Sequence, residues 1–406
     1  MGLARGRSLG SEAHVDVVGL AGTRVLVTGA SGFVGARVVE RLVADGARVR
    51  VLVREIARAA PLSRFPVEIA AGDLLRPAEV NAAVDGCDVV IHCAKGSSGT
   101  RRERQLVNLD GTRHLLDAAA AASVARVVHI STVVVYDLPA AGSLDESALP
   151  TRSKDAYAVS KREGEELALA YGRQGRVAVT VVQPTIVYGP RAGVYGREIL
   201  EELRSTRLPL VDAGEGICNA LFVDDLVTAL MLAATSERAP GERFLISGPE
   251  PVTWRAFFAA FEDMLGVRRT VPVSREAALR LWRRQARRPW LAPEAFRALR
   301  TDAHLRDRLL STREGTLVRR AAQRALPASF FAPKRWEPPT EPAGTEPPLV
   351  ALRPEIVDFL ACRATVGSDK ARRLLGYEPV FDLDAGMTLT AQWARHEGLL
   401  DPPGTA

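Results

Sequence analysis

Tyr157-Ala-Val-Ser-Lys161 puts a phenol and a primary ammonium one helical turn apart, on one face of a helix. A phenol near its free pKa of about 10 is a poor base at neutral pH. A neighbouring ammonium favours the phenolate, lowers that pKa and makes proton exchange with a substrate hydroxyl feasible. Lysine occurs only at 95, 154, 161, 334 and 370, with arginine everywhere else, so a lysine four residues after a tyrosine marks a need for a compact point charge. Ser131 and Thr132 leave a predicted strand, Arg126-Val-Val-His-Ile130, and bring hydroxyls to the place where a substrate oxygen would meet the phenol. Such a hydroxyl orients the substrate and stabilises developing charge, and Thr132 is preferred over Ser131. The catalytic candidates are therefore Thr132, Tyr157 and Lys161.

These side chains need a scaffold, and Val25-Leu-Val-Thr-Gly-Ala-Ser-Gly-Phe-Val-Gly35 supplies its start. An apolar run, Val25 to Val27, predicts a buried parallel strand, followed by a turn at Gly29 and a helix with Val34, Val38, Val39 and Leu42 on one face. Gly29, Gly32 and Gly35 have the spacing of a dinucleotide-binding turn. The first allows the bend, the second lets a pyrophosphate approach the backbone, and the third lets helix pack against strand. The anion would rest on the free N–H groups at the helix N-terminus. Alternation of Val49, Val51 and Val53 with arginines predicts a second strand, at whose end an acid would hold an NAD ribose. Arg54 stands there, with Glu55 next. A guanidinium suits the 2′-phosphate of NADP, which is favoured, while Glu55 keeps NAD open and Arg54 is alternatively a solvated charge.

A third strand (Val67-Glu-Ile-Ala70) leads to Gly72-Asp73-Leu74, where Asp73 either accepts from an adenine amino group or caps the helix starting near Pro77. A fourth strand, Asp88 to Cys93, ends in the small residues Ala94-Lys95-Gly96 near the cofactor's path. A helix over Glu103 to Ala122, the fifth strand, a helix over Asp155 to Tyr171 and a sixth strand from Val177, ended by Gln183-Pro184, continue the alternation. The expected fold is α/β, a Rossmann-type doubly wound parallel sheet with a smaller, mostly C-terminal substrate-binding part. The expected cofactor-binding residues are Gly29, Ser31, Gly32, Phe33, Val34, Gly35, Arg54, Asp73, Leu74, Ala94, Tyr157, Lys161 and Pro184.

The expected division is a disordered lead-in over 1–22, a cofactor-binding domain over 23–186 with the strand and helix of 221–250 returning to it, and a substrate part over 187–220 and 251–400. Two acids at Asp224 and Asp225 open the returning helix, as the helix dipole favours. Between 268 and 325 arginine outnumbers acids roughly threefold, predicting solvated amphipathic helices or, alternatively, a membrane-surface or partner-binding face. Residues 327–348, rich in Pro, Glu and Thr, predict an extended connector. The chain ends in a small helix, a Gly-Tyr-Glu-Pro turn and a helix containing Trp393.

With 406 residues the chain can bury a large core, and its formal charge of +6 suits anionic small molecules without any basic, aromatic-interleaved motif that would favour nucleic acid. No apolar run is long enough to span a bilayer, and residues 1–23 hold no signal-like apolar segment. Cys87, Cys93, Cys218 and Cys362 are scattered, which predicts free thiols in a reducing, cytoplasmic setting and no metal site.

Taken together, Thr28-Gly-Ala-Ser-Gly-Phe-Val-Gly35, Gly72-Asp-Leu74, Ser131-Thr-Val-Val-Val-Tyr136, Tyr157-x-x-x-Lys161, Pro184-Thr-Ile-Val-Tyr-Gly-Pro190 and Lys370-Ala-Arg-Arg-Leu-Leu-Gly-Tyr-Glu-Pro379 come in the order of the extended short-chain dehydrogenases/reductases, the NAD-dependent epimerase/dehydratase family, which the chain resembles over 24 to about 270 and about 350 to 395. The resemblance implies bound NAD(P), Tyr157 as acid/base, Lys161 on ribose and phenol, Thr132 as hydroxyl partner, Asn108 as a structural support and a homodimer. It also carries departures. Val133 and Val134 stand where the family's sugar-nucleotide 4,6-dehydratases hold an Asp-Glu pair, which argues against that reaction. Arg54 favours NADP, whereas the family's sugar 4-epimerases usually hold NAD, and the long basic insert and Pro347-Pro-Leu-Val with the segment after it look more like the 3β-hydroxysteroid dehydrogenase and dihydroflavonol reductase branch. The expected activity is hydride transfer between nicotinamide and a carbinol or ketone carbon, on a nucleotide sugar by epimerisation or keto reduction. A less polar ketone, steroid- or flavonol-like, reduced by NADPH is the alternative, and a cofactor-bound sensor without turnover a second.

Overall fold

A computed structural model of the chain describes residues 19–96, 101–153, 155–286 and 346–400. In chain order the first half runs β1 (Arg24–Thr28), α1 (Phe33–Ala44), β2 (Arg48–Val53), β3 (Glu68–Ala71), α2 (Pro77–Val84), β4 (Val89–His92), α3 (Arg101–Leu106), α4 (Thr112–Ala121), β5 (Arg126–Ile130), β6 (Ala141–Leu144), α5 (Ala156–Arg173) and β7 (Val179–Pro184). The second half runs β8 (Ile186–Tyr188), α6 (Glu198–Ser205), β9 (Leu208–Val211), β10 (Ala220–Phe222), α7 (Val223–Thr235), β11 (Arg243–Ile246), α8 (Trp254–Leu265), β12 (Thr270–Val273) and α9 (Arg275–Ala286). It closes with α10 (Pro354–Ala361), β13 (Arg363–Val366), α11 (Asp369–Leu375) and α12 (Leu383–His396).

Seven of these strands form one parallel sheet in the order β11-β7-β5-β4-β1-β2-β3. The strands are short, and the central ones, β1, β4 and β7, are buried along almost their whole length, as a place between two helical layers requires, while the edge strand β3 is largely exposed. The register sets Val25 beside both Val49 and Val89. Strand order runs outward in opposite directions from β1 and β4, so the chain reverses between them, and the crevice at their carboxyl ends is where an open sheet of this kind takes its ligand. On one face α1 and α7 bring Val38, Val39, Leu42, Leu226 and Leu230 onto the sheet, with Leu375 and Tyr377 from the chain's end. On the other, α2, α4 and α5 contribute Val80, Leu115, Leu116 and Leu169. A separate apolar cluster, rich in rings, joins α6, α8, α10 and α12 through Leu203, Trp254, Phe257, Phe261, Val357 and Met387.

Some expectations change on folding. The helix read over Glu103 to Ala122 is broken by a π-type turn over Val107–Gly111, between α3 and α4. The turn frees Asn108 for its own bonds: its Oδ1 accepts from Gly96 N at 2.8 Å and its Nδ2 donates to Ser160 Oγ at 3.0 Å. The lead-in drawn to residue 22 is packed at its end, where Leu20 joins the core under the sheet. Small two-stranded pairings that short runs do not announce join β6 to β13, β9 to β12 and β8 to β10. Most of the Arg-rich insert and of the Pro-rich connector, like residues 1–18, lies outside the described residues. Among the described residues no helix is long and apolar enough to cross a membrane.

The two acids opening α7 do more than favour its dipole. Asp224 pairs with Arg37 of α1, Nε to Oδ1 at 2.5 Å. Asp225, 1% exposed, accepts the backbone N–H groups of Val380 and Phe381 at 2.9 and 3.1 Å, which ties the end of the chain to the sheet layer. Burial lifts its carboxyl to about 6, against the two N–H bonds that pull it down. A carboxyl raised above its ordinary value near 3.9 has an acid form that the fold prefers, so the stability it contributes is lost as pH rises through about 6. Asp225→Asn should flatten this part of the profile: melting temperatures of both proteins between pH 4 and 7 should converge or diverge with pH, and parallel curves would show that the carboxyl does not titrate there.

Candidate active site

The carboxyl ends of β1, β2, β4, β5 and β7 open into a cleft of about 1030 Å³. Every side chain and glycine expected to hold cofactor lines it: Gly29 through Gly35 (Ala30 aside), Arg54, Asp73, Leu74, Ala94, Tyr157, Lys161 and Pro184, together with Thr132. With Asp73 and Leu74 after β3, they come from six separate strand ends and from α1 and α5, and only the sheet brings them together.

The glycine turn forms the floor. Gly29 has φ +69°, and a Cβ there would lie 2.6 Å from Ala94 N, so the loops after β1 and β4 touch through its missing side chain. Gly32 N donates to Gly29 O at 2.9 Å, and Gly32 is the N-cap of α1 with no side-chain cap and no acid in the first turn. The N-terminal amides of α1 thus keep their dipole for an anion in the cleft. A methyl at Gly35 would run into the Gly29 carbonyl oxygen, which lets α1 approach the turn only without it. This cradle fits the pyrophosphate of a dinucleotide.

Farther along one wall, Arg54 is half exposed beside Glu55, Nη2 to Oε1 at 3.8 Å, and Glu55 Oε2 accepts from Arg58 Nε at 3.0 Å. Arg58 also lines the cleft, a residue that the sequence reading passed over although its three-residue spacing from Glu55 was visible. Asp73 does not cap α2, whose N-cap is Arg76. Its Oδ1 accepts from Leu75 N at 3.0 Å while its own N–H goes to Glu79 Oε2 at 2.8 Å, so the carboxyl turns back over its own loop at the cleft wall.

At the other end stand the phenol and its neighbours. Asp155 caps α5 by accepting from Tyr157 N and Ala158 N, which fixes the first turn that carries Tyr157. Lys161 is 5% exposed and its Nζ donates to Ile130 O at 2.5 Å, at the end of β5. Burial and the charge of Lys95 push the Lys161 ammonium down to about 8, against Glu165 and Cys93. Tyr157 is 39% exposed to the cleft as a residue, yet burial raises its phenol, with the neighbouring Thr132 hydroxyl pulling in the opposite direction. The expected lowering of that phenol by Lys161 is therefore corrected: the ammonium is held on the Ile130 carbonyl, and desolvation dominates at the hydroxyl. Thr132 faces the phenol, whereas the Ser131 hydroxyl is buried without a partner. Val133 and Val134, in a short 3-10 turn after Thr132, line the cleft with Ala192, Val194 and Tyr195. Lys95, which the sequence reading placed near the cofactor's path without giving it a role, has its Nζ 5.9 Å from the Tyr157 ring centroid.

A family model described as the NAD dependent epimerase/dehydratase family matches residues 25–247, and the chain belongs to that family. It is an NAD(P)-dependent oxidoreductase of the extended short-chain dehydrogenase/reductase type. Among curated relatives, a 4-hydroxy-2-methyl-3-oxo-4-farnesyl-3,4-dihydroquinoline-1-oxide ketoreductase of Stigmatella aurantiaca is 32% identical over 253 residues, 61% of this chain and 75% of that protein. A 2-alkyl-3-oxoalkanoate reductase of Shewanella oneidensis is 27% identical over 257 residues, 60% of this chain and 66% of that protein. The crystal structure of DesIV, a dTDP-glucose 4,6-dehydratase of Streptomyces venezuelae with NAD and TYD bound, has a TM-score of 0.64 at 22% identity, covering 94% of this chain and 99% of that one. At that identity the likeness is one of fold.

The turn predicts a contrast between two glycines. Gly32→Ala meets only the Gly29 carbonyl at 3.2 Å and should weaken NADPH or NADH binding about tenfold or more with a nearly unchanged melting temperature. Gly35→Ala forces α1 off the turn and should lower the melting temperature as well, by an overpacking cost of about 1–3 kcal/mol. Calorimetry on both variants and fluorescence titration with both nucleotides check this. Equal melting temperatures would contradict the packing role of Gly35.

Proposed function

We propose that this chain is an NADPH-dependent ketoreductase acting on a ketone attached to an apolar body. The observation that carries the reading is the cleft's apolar lining: among the described residues Val133, Val134, Ala192, Val194 and Tyr195 line it with Tyr157, Lys95 and Glu198, while its arginines, Arg54 and Arg58, follow β2 beside Glu55. A sugar diphosphate asks for several cations beside the substrate, where this cleft offers Lys95 besides the Ile130-bound Lys161, and an apolar lining asks for carbon. The names of the two curated relatives, both reductases of oxo compounds, support the same class. A 4,6-dehydratase is disfavoured because Val133 and Val134 supply no acid to expel water.

Bound NADPH supplies the hydride. The chain's own residues do the rest. Burial keeps the Tyr157 phenol protonated through neutral pH, which suits it to donate a proton to the oxygen of a ketone as the carbon is reduced. Thr132 donates to the same oxygen and shares the growing negative charge. Lys161, its Nζ anchored on the Ile130 carbonyl, would orient the cofactor's ribose. Arg54 and Arg58 hold the 2′-phosphate, with Glu55 occupied by Arg58.

Tyr157→Phe should abolish turnover, by about a thousandfold or more, while NADPH binding stays within about twofold. Retained turnover would remove Tyr157 from the reaction. Because the Lys161 ammonium is charged below about 8, reduction should hold through neutral pH and fall above that value. A pH profile of NADPH consumption reads this directly, and a flat profile to pH 10 would contradict it. Arg54→Ala and Arg58→Ala should each raise the NADPH dissociation constant about tenfold and leave NADH unchanged. Tight NAD released on denaturation of the purified protein would instead point to a retained cofactor, as an epimerase needs.

A further inference from the structure

We propose that Lys95 is a specificity residue that binds a carboxylate on the ketone substrate, so that the substrate class is an oxo acid with an apolar chain. This rests on the ketoreductase reading and names the substrate within it. Lys95 follows directly on the loop after β4, on the same carboxyl edge as Tyr157, and lines the cleft. Its Nζ lies 5.9 Å from the centroid of the Tyr157 ring. The phenol and that ammonium line one cleft, so a ketone oxygen on the first and a carboxylate on the second fit within a single small molecule.

The cation is available for such a partner. The other lysine beside the phenol, Lys161, already donates to Ile130 O. Lys95 makes no hydrogen bond or ion pair among the described residues, and its contact with the aromatic face is a weak one for a solvated site. Although its surface is open to the cleft, its ammonium is pushed below the ordinary lysine value by the desolvating walls, with Glu198 opposing. An incoming carboxylate relieves that cost, because a neighbouring anion favours the charged form. The chemistry also matches the residue type. A chain that uses arginine almost throughout keeps lysine here, where a single compact charge on a flexible stem meets one carboxylate. The surrounding Val133, Val134, Val194 and Tyr195 take the carbon chain.

The test compares 3-oxooctanoate with its methyl ester, which keeps the ketone and removes the charge, in the full chain with saturating NADPH. Wild-type protein should prefer the acid by about 10- to 100-fold in kcat/KM, chiefly through KM, as one charge-assisted hydrogen bond provides. In Lys95→Met that ratio should collapse to about one, and in Lys95→Arg it should be partly restored. Wild-type protein that reduces acid and ester equally would overturn the assignment while leaving ketone reduction standing. A Lys95→Met effect of the same size on both substrates, with a shifted pH profile, would assign Lys95 to tuning Lys161 and would also overturn it. If wild-type protein reduces neither substrate, the ketoreductase reading fails and this assignment with it.

Discussion

The close approach of α1 to the turn after β1 is the constraint on which the cleft depends. Gly35 has no side chain where one would strike the Gly29 carbonyl, and Gly29 has none where one would strike the backbone at Ala94. Two loops, after β1 and β4, are therefore in contact at the point where the strand order reverses. The helix N-terminus faces the space between them with its amides uncapped by any side chain. One packing condition thus sets both the depth of the cleft and its electrostatic character, since the same missing atoms that permit the contact expose the N–H groups to an anion.

Beneath the reacting end lies a buried polar layer that holds the site still. Thr28 Oγ1 meets His92 Nδ1 at 2.6 Å, His92 Nε2 meets Thr112 Oγ1 at 3.1 Å, and Thr112 donates to Asn108 O at 2.8 Å. Asn108 then reaches Ser160 on α5 and Gly96 in the loop that bears Lys95. Gly164 permits this closeness, because a Cβ there would sit 2.8 Å from Asn108 O. The π-type turn costs regular helix bonds and gains a side chain that ties three elements together, a frequent device at functional positions. Burial lowers the His92 imidazole to about 3 and His129 well below its ordinary value, with Lys161 adding to both, so this layer stays neutral under the ammonium. A connected, neutral layer of this kind gives rigidity without competing for charge.

The placement of the chemistry follows from where parallel strands end. Thr132, Lys95, Asp73 and Arg54 each sit just past a strand, and Tyr157 and Lys161 sit on the one helix, α5, whose first turns lean over β5. The second apolar cluster contributes the remaining wall through Tyr195, whose ring lies 6.4 Å from Trp254. Burial, with the Glu198 carboxylate adding to it, raises the Tyr195 phenol, leaving it uncharged there as a wall for carbon.

Much of this was legible in the chain alone. The glycine spacing, the apolar runs and the Tyr157/Lys161 pair are local patterns, separated by a few residues along one strand or one helical turn, and local geometry suffices to interpret them. The alternation of strands and helices likewise determined a parallel doubly wound sheet, because short links and right-handed crossovers leave few other arrangements. What only the tertiary structure decided were matters of approach across the fold. Lys161 gives its hydrogen bond to a carbonyl 31 residues away, so the Tyr157 phenol is raised by burial instead of lowered by its neighbour. Asp73 turns back on its own loop, Arg58 and Lys95 enter the cleft, and the helix before Ala122 opens at Asn108 to bond Ser160 on another helix. Desolvation and long-range contacts depend on which surfaces meet, and that information lies in the packing of distant segments, outside any window of sequence.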